Sequence, residues 1–244
     1  MPLLAQLIRL LSSEDPDEDR DFGERAFDKI TGLTQVLIDS ADLGLVPELE
    51  EHLETFLARE DFYGRDVIGE VLAGIAGLDA LPVLLRASAR DLGDDQDTFQ
   101  SVICDLLEQD PVRARPAVLD LVAADDAALR ATGVWALDFI VSDEDLPRLL
   151  TALTDRHPSV RFAAAAPAGR LATRLPPAMD ALGAALDDVD PQVRISVLGA
   201  LGDTHATAAV PLVTRLVDDH DEAVREWVAI AVDRLREHTR VSGI

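Results

Sequence analysis

Apolar positions recur along this chain in short helical stripes, and the stripes return at nearly fixed intervals. Counted from Arg194, apolar or small residues fall at +3, +4, +6 and +7, as Val197, Leu198, Ala200 and Leu201. The same offsets from Arg225 give Val228, Ala229, Ala231 and Val232. Spacings of three and four mark one face of an α-helix packed on neighbours. A second stripe follows each first one, as in Val210, Val213, Leu216 and Val217.

The polar residues ahead of each stripe repeat too. "DAALR" (126–130), "HPSVR" (157–161), "DPQVR" (190–194) and "DEAVR" (221–225) share a capping residue, a leucine or valine, and an arginine. Arg130, Arg161, Arg194 and Arg225 stand 31, 33 and 31 residues apart. Asp126, His157, Asp190 and Asp221 read as helix N-caps, and Pro158 and Pro191 follow at the first helical position, where a missing N–H costs nothing. The frame runs back less regularly through Asp61 and Arg65 and through Asp21 and Arg25. In "DTFQS" Asp97 is kept, and Ser101 stands where the arginine belongs. A proline opens each second helix: Pro47, Pro82, Pro116, Pro147, Pro177 and Pro211.

Two helices in each period of about 30 residues define an α-solenoid, because one pair is too small to bury its own apolar face and must stack. The stretch "DPQVRISVLGALGD…AAVPLVTRLVDD" (190–219) and its neighbours resemble the HEAT-repeat family, in the short form found in phycobilisome-lyase-type proteins. The resemblance is clearest over 125–235. It implies an all-α, right-handed solenoid of about seven HEAT-like helix pairs. It also implies an Asp–Arg ladder between units, built from Asp126, Asp190 and Asp221 with Arg130, Arg161, Arg194 and Arg225. The expected layout is an N-terminal helix and acidic linker over 1–20, then the solenoid over 21–244. Repeats are irregular over 21–124 and regular over 125–240, and the last unit has only its first helix. Pro167 falls inside a first helix and is expected to kink it.

In such solenoids the second helices line the concave side, where partners dock. Their positions off the apolar stripe are Glu48, Glu51, Glu54, Arg86, Asp120, Arg148, Thr151, Asp180, Thr214 and Arg215. Trp135 and Trp227 occupy first-helix positions that other units give to small residues. Trp227, with Ile230 three residues on, is therefore a further candidate contact.

Charge sharpens the picture. The chain has 46 acidic and 22 basic residues, for a net charge of −24. Residues 1–124 hold 27 acids and 10 bases, and residues 125–244 hold 19 and 12. Such a surface repels nucleic-acid phosphates and anionic membranes. It favours a basic protein partner, though solubility alone produces the same excess. No apolar run is expected to reach the ~20 residues of a membrane span. The start of the chain lacks a signal peptide's basic region and cleavage site, which suggests a soluble, cytoplasmic protein. Arginine outnumbers lysine 21 to 1, as in high-GC bacterial genomes.

Candidate chemistry is sparse. Cys104 stands alone, at a core position of its helix, so neither a disulfide nor a cysteine metal site is expected. His52, His157, His205, His220 and His238 form no metal-binding pair. No phosphate loop, nucleophile elbow or dinucleotide fingerprint occurs. The acidic runs 187–190 and 218–222 lack the spacing and glycine of a calcium loop. No catalytic residue, cofactor or metal is expected. The sequence favours a non-catalytic protein-binding scaffold, in one form an immunity or antitoxin protein that neutralises a basic effector. The alternative is a regulatory or assembly subunit of a larger complex. A lyase-type enzyme rests on repeat type alone, and a HEAT-like DNA glycosylase, which needs a basic groove with aromatics, is disfavoured by the charge.

Overall fold

A computed structural model describes residues 2–12, 20–94 and 96–241, with the side chains of 20–26 and 237–241 left out. The side chains of Asp21, Arg25 and His238 and most of the acidic linker lie outside the described residues. Fourteen α-helices and short 3-10 turns are described, with no strand among the described residues. The helices are α1 (Leu3–Leu11), α2 (Arg20–Ser40), α3 (Val46–Ala58), α4 (Phe62–Ala76), α5 (Leu81–Ser88), α6 (Asp97–Gln109) and α7 (Pro111–Val122). Then come α8 (Ala127–Ile140), α9 (Leu146–Ala152), α10 (Pro158–Ala172), α11 (Pro176–Ala185), α12 (Pro191–Asp203), α13 (Val210–Val213) and α14 (Glu222–Val241). From α2 on they alternate as first and second helices. Among the described residues this makes six pairs and a terminal first helix, α14.

The punctuation explains the boundaries. Asp61, Asp126, Asp190 and Asp221 each accept a backbone N–H from the first turn of the following helix, which satisfies donors the helix itself leaves orphaned. His157 occupies the same place without a side-chain cap bond. Pro47, Pro82, Pro147, Pro177 and Pro211 all lie in the first turn of second helices. The third pair departs from the frame. There α7 starts at Pro111, so Pro116 lies inside it rather than opening it. The cap of α6 is Gln96, in the left-handed conformation with φ 58°. Asp97 is thus the first helical residue, and Gln100, not Ser101, holds the arginine's place. α10 runs unbroken through the buried Pro167 to Ala172.

The chain divides into two compact units, Met1–Ala117 and Val118–Ile244. In the first, α1 packs on α2, and α4 packs on α2, α3 and α6. Leu4, Leu7, Leu49, Leu53, Phe56, Ile68, Leu72, Leu84 and Phe99 are almost wholly buried there. In the second, α8, α10, α12 and α14 pack in succession, and Val134, Leu137, Val160, Leu171, Leu182, Val193, Leu198, Val213 and Val224 form the core. Two stripe residues depart from the expected pattern. Ala229 is exposed because no first helix follows α14 among the described residues. Val217 is 58% exposed because the last turn of its element ends at Leu216.

Contrary to the sequence expectation, the stretch Phe62–Ser88 does reach the length and hydropathy of a membrane span, at a mean hydropathy of 1.8. The chain breaks there at Gly77, whose φ of +56° suits a residue without a Cβ. It forms α4 and α5 instead, each shorter than the ~20 residues a span needs, and half of the apolar window is buried in the fold.

Two glycines separate tertiary contact from helix propensity. At Gly133 in α8 a Cβ would lie 2.5 Å from the Val122 backbone nitrogen, whereas at the exposed Gly32 in α2 it would meet nothing. Gly32→Ala should stabilise by about 0.5–1 kcal/mol. Gly133→Ala should reverse that sign and destabilise by about 1–3 kcal/mol. Urea denaturation of the two variants measures both effects.

Candidate partner-docking surface and the arginine ladder

The repeated arginines join each turn between units to the next. Arg130 places Nε and Nη2 on the Asp155 carboxylate at 3.0 and 3.1 Å, and Nη1 on the carbonyls of Ala124 and Asp125. Arg161 grips Asp188 at 2.6 and 2.8 Å and donates Nη1 to the carbonyl of Asp155. Arg194 donates to Asp219 at 2.9 Å and to the carbonyl of Asp188. Arg225 donates to the carbonyl of Asp219. Each turn aspartate therefore serves two arginines, one through its side chain and one through its backbone. It also accepts the N–H two residues on, from His157, Asp190 or Asp221.

This corrects the ladder read from sequence. Asp126, Asp190 and Asp221 cap helices, and the carboxylates that answer the arginines are Asp155, Asp188 and Asp219. In the first unit Arg65, wholly buried, holds Asp94 with Nη1 and Nη2 and Asp66 with Nε and Nη2, and stacks 4.9 Å from the Phe99 ring centre. The ladder carboxylates ionise more readily than usual. For Asp94 the Arg65 hydrogen bonds are the main cause. For Asp155 and Asp188, burial pushes upward, and the hydrogen bonds from Arg130 and Arg161 outweigh it, helped by the bonded backbone N–H. For Asp219 burial again pushes upward and is outweighed, first by the Asp221 N–H and then by Arg194.

The candidate docking residues of the second helices are all exposed: Glu48, Glu51, Glu54, Arg86, Asp120, Arg148, Thr151, Asp180, Thr214 and Arg215. Several also work within the fold. Glu54 accepts from Arg90 at 2.9 Å, and Arg215 straps α13 to the preceding pair through Asp187 and the Gly183 carbonyl. Glu48, Glu51 and Glu54 share one face of α3. Arg148 and Thr151 line a cleft of about 610 Å³ with Leu119, Val122, Pro147 and Val160. Trp227 is half-buried on the first-helix side, with the Arg234 guanidinium 5.7 Å from its ring centre. Trp135 meets Phe139 edge to face at 5.3 Å.

Cys104 is half-buried rather than fully enclosed, and burial, followed by Glu108 and Asp105, pushes its thiol up to about 11. No group of His, Cys, Asp and Glu suited to a metal occurs among the described residues.

Stacked helix pairs with a buried polar ladder define an α-solenoid of helical repeats. Residues 179–242 match the family model of HEAT repeats. The described chain is thus an all-α solenoid, and the HEAT match itself covers residues 179–242. Among solved structures it resembles the complex of CpcE and CpcF of phycocyanin lyase from Nostoc sp., at 23% identity and a TM-score of 0.51, over 63% of this chain and 98% of that one. It also resembles Kap121p, at 12% identity and a TM-score of 0.61 over 97% of this chain, and spans 30% of that protein. Both likenesses concern the fold. None of the curated proteins matches the sequence at a significant level.

The ladder sets two expectations and Cys104 a third. Arg194→Ala should cost about 3 kcal/mol in chemical denaturation, because it leaves the enclosed Asp219 carboxylate without its arginine. The lowered aspartates contribute stability that is fully present above their ordinary value of 3.8 and is lost as pH falls through the lowered ones. Acid unfolding followed by circular dichroism should therefore show this loss below about pH 4. With its thiol near 11, Cys104 should resist alkylation at neutral pH while the protein is folded and react once it unfolds.

Proposed function

We propose that this chain is a non-catalytic scaffold that docks a basic protein partner on its second-helix face, mainly through the acidic first half. One observation carries the reading: Glu48, Glu50, Glu51 and Glu54 are all exposed on the single helix α3. Of the four, Glu54 is engaged by Arg90, and Glu48 lies 3.9 Å from the His52 imidazole. The surplus of 17 negative charges over residues 1–124, from 27 acids and 10 bases, adds a field that speeds capture of a cation. The fold supports the same reading, since stacked repeats present extended surfaces, and the similar lyase structure is itself a complex of two proteins.

In its sharper form the chain is an immunity or antitoxin protein that neutralises a basic effector. The second form is a regulatory or assembly subunit. A lyase-type activity has only the likeness of fold in its favour.

The test is a tagged pull-down from the native host at low salt, eluted with a salt gradient. A single basic partner released at moderate salt is the expected result, and its identity separates neutralisation from assembly. Glu48→Arg with Glu51→Arg leaves the Glu54–Arg90 pair intact. It should weaken that partner at least about tenfold while shifting stability by no more than about 0.5 kcal/mol. Retention that ignores salt, or an unchanged affinity in the double variant, would overturn the acidic-face reading.

A further inference from the structure

The first-helix side of the second unit carries a furrow that the second-helix reading leaves unused. It has a volume of about 490 Å³ and lies between α10 and α12, closed on one side by Trp227 and Arg234 of α14. Its length follows from the residues that line it. On α10 they run from Phe162 through Ala166 to Arg170, and on α12 from Ile195 through Gly199 to Asp203. Nine residues, and so eight rises of 1.5 Å, make roughly 12 Å, or about two helical turns. The floor is low because Gly169, Gly199 and Ala200 supply almost no side chain. α10 and α12 approach so closely that a Cβ on Gly169 would lie 3.1 Å from the Ala200 carbonyl oxygen, and Ser196 donates to the carbonyl of Phe162 at 2.9 Å. Large apolar groups stand at the edge: Phe162 is 46% exposed, and Trp227 is half-buried.

The charges at the rim are cancelled in pairs. Arg170 holds Asp138 at 2.6 and 2.9 Å, and Arg234 holds Asp203 at 2.7 Å. A chain of net charge −24 therefore has, here, a stretch with two cations, two anions, an exposed Phe162 and a half-buried Trp227. The complement of such a patch is an apolar surface without net charge. The described fold offers no strand edge to extend, so a partner segment must satisfy its own backbone hydrogen bonds, and a helix does so.

We infer that this furrow is a docking site for an amphipathic helix of another protein, one that presents about two turns of apolar side chains and no net charge. Phe162 and Trp227 are the anchors, and the Arg170–Asp138 and Arg234–Asp203 pairs form a polar rim that excludes water. This contact is independent of the acidic α3 face and differs from it in salt response, since apolar burial is screened little by ions.

The probe is a synthetic helical peptide of about 18 residues with a leucine stripe at i, i+4, i+7 and i+11. It is made in three versions whose outer faces are uncharged, lysine-rich or glutamate-rich. Binding is read from Trp227 emission in a Trp135→Phe protein and by calorimetry. The uncharged peptide should bind and shift the emission to the blue, with affinity changing less than about twofold between about 50 and 500 mM salt. Phe162→Asp should weaken it about tenfold. Ala166→Gln, which fills the furrow from an exposed position, should do the same with an unchanged circular dichroism spectrum. Absence of binding by the uncharged peptide would overturn the inference. So would binding by the lysine-rich peptide alone that salt abolishes, or an affinity that neither variant alters.

Discussion

The second unit depends on one bonding pattern, an arginine held between two successive turns. Its fork reaches the carboxylate of the next turn, and its remaining nitrogen reaches a backbone carbonyl of its own turn. A turn between helix pairs exposes carbonyls and N–H groups that no helix satisfies. The arginine and aspartate satisfy them and fix the spacing of the pairs at once. Charge-assisted bonds of this kind are short and directional. Because each aspartate serves two arginines and an N–H, the rungs are linked, and Asp155, Asp188 and Asp219 make one continuous chain of bonds.

The rungs are not equal. Arg130 and Arg161 each grip their aspartate with two nitrogens, whereas Arg194 uses one, and its buried Nε has no hydrogen-bond partner. A buried donor without a partner costs more than a bond never offered. The Arg194–Asp219 rung thus makes fewer bonds than the two before it. In the first unit the same role falls to Arg65, which is buried more deeply and adds a ring contact with Phe99.

The ladder also accounts for how such an acidic chain can serve as a frame. Acids beside the turns are spent inward on arginines and helix N-termini, and acids on the second helices face water. Glu48, Glu50 and Glu51 belong to the outward set, while Asp155, Asp188 and Asp219 belong to the inward one. Net charge therefore describes the surface of α3 well and the turns badly. At the furrow the pairing of Asp138 with Arg170 and Asp203 with Arg234 cancels the four rim charges, so this patch and the α3 face differ in the partner each can attract.

The sequence by itself determined the repeat, the alternation of first and second helices, and most of their boundaries. Caps such as Asp126 and Asp190 and prolines such as Pro147 and Pro211 act within one turn of chain, so local spacing suffices to read them. It also determined which arginines matter, because a long cation recurring every 31 to 33 residues is visible without a fold. Their partners were not legible. Asp155, Asp188 and Asp219 lie 25 to 27 residues downstream among other acids, and only stacking decides which carboxylate meets the guanidinium. The third pair was misread for a related reason: the left-handed backbone at Gln96 shifts the register by one, and no residue type announces it. The furrow beside Trp227 was hidden as well, since Phe162, Ile195 and Trp227 are about 30 residues apart in the chain. They share a surface because α10, α12 and α14 pack side by side, and proximity across helices is a property of packing rather than of sequence order.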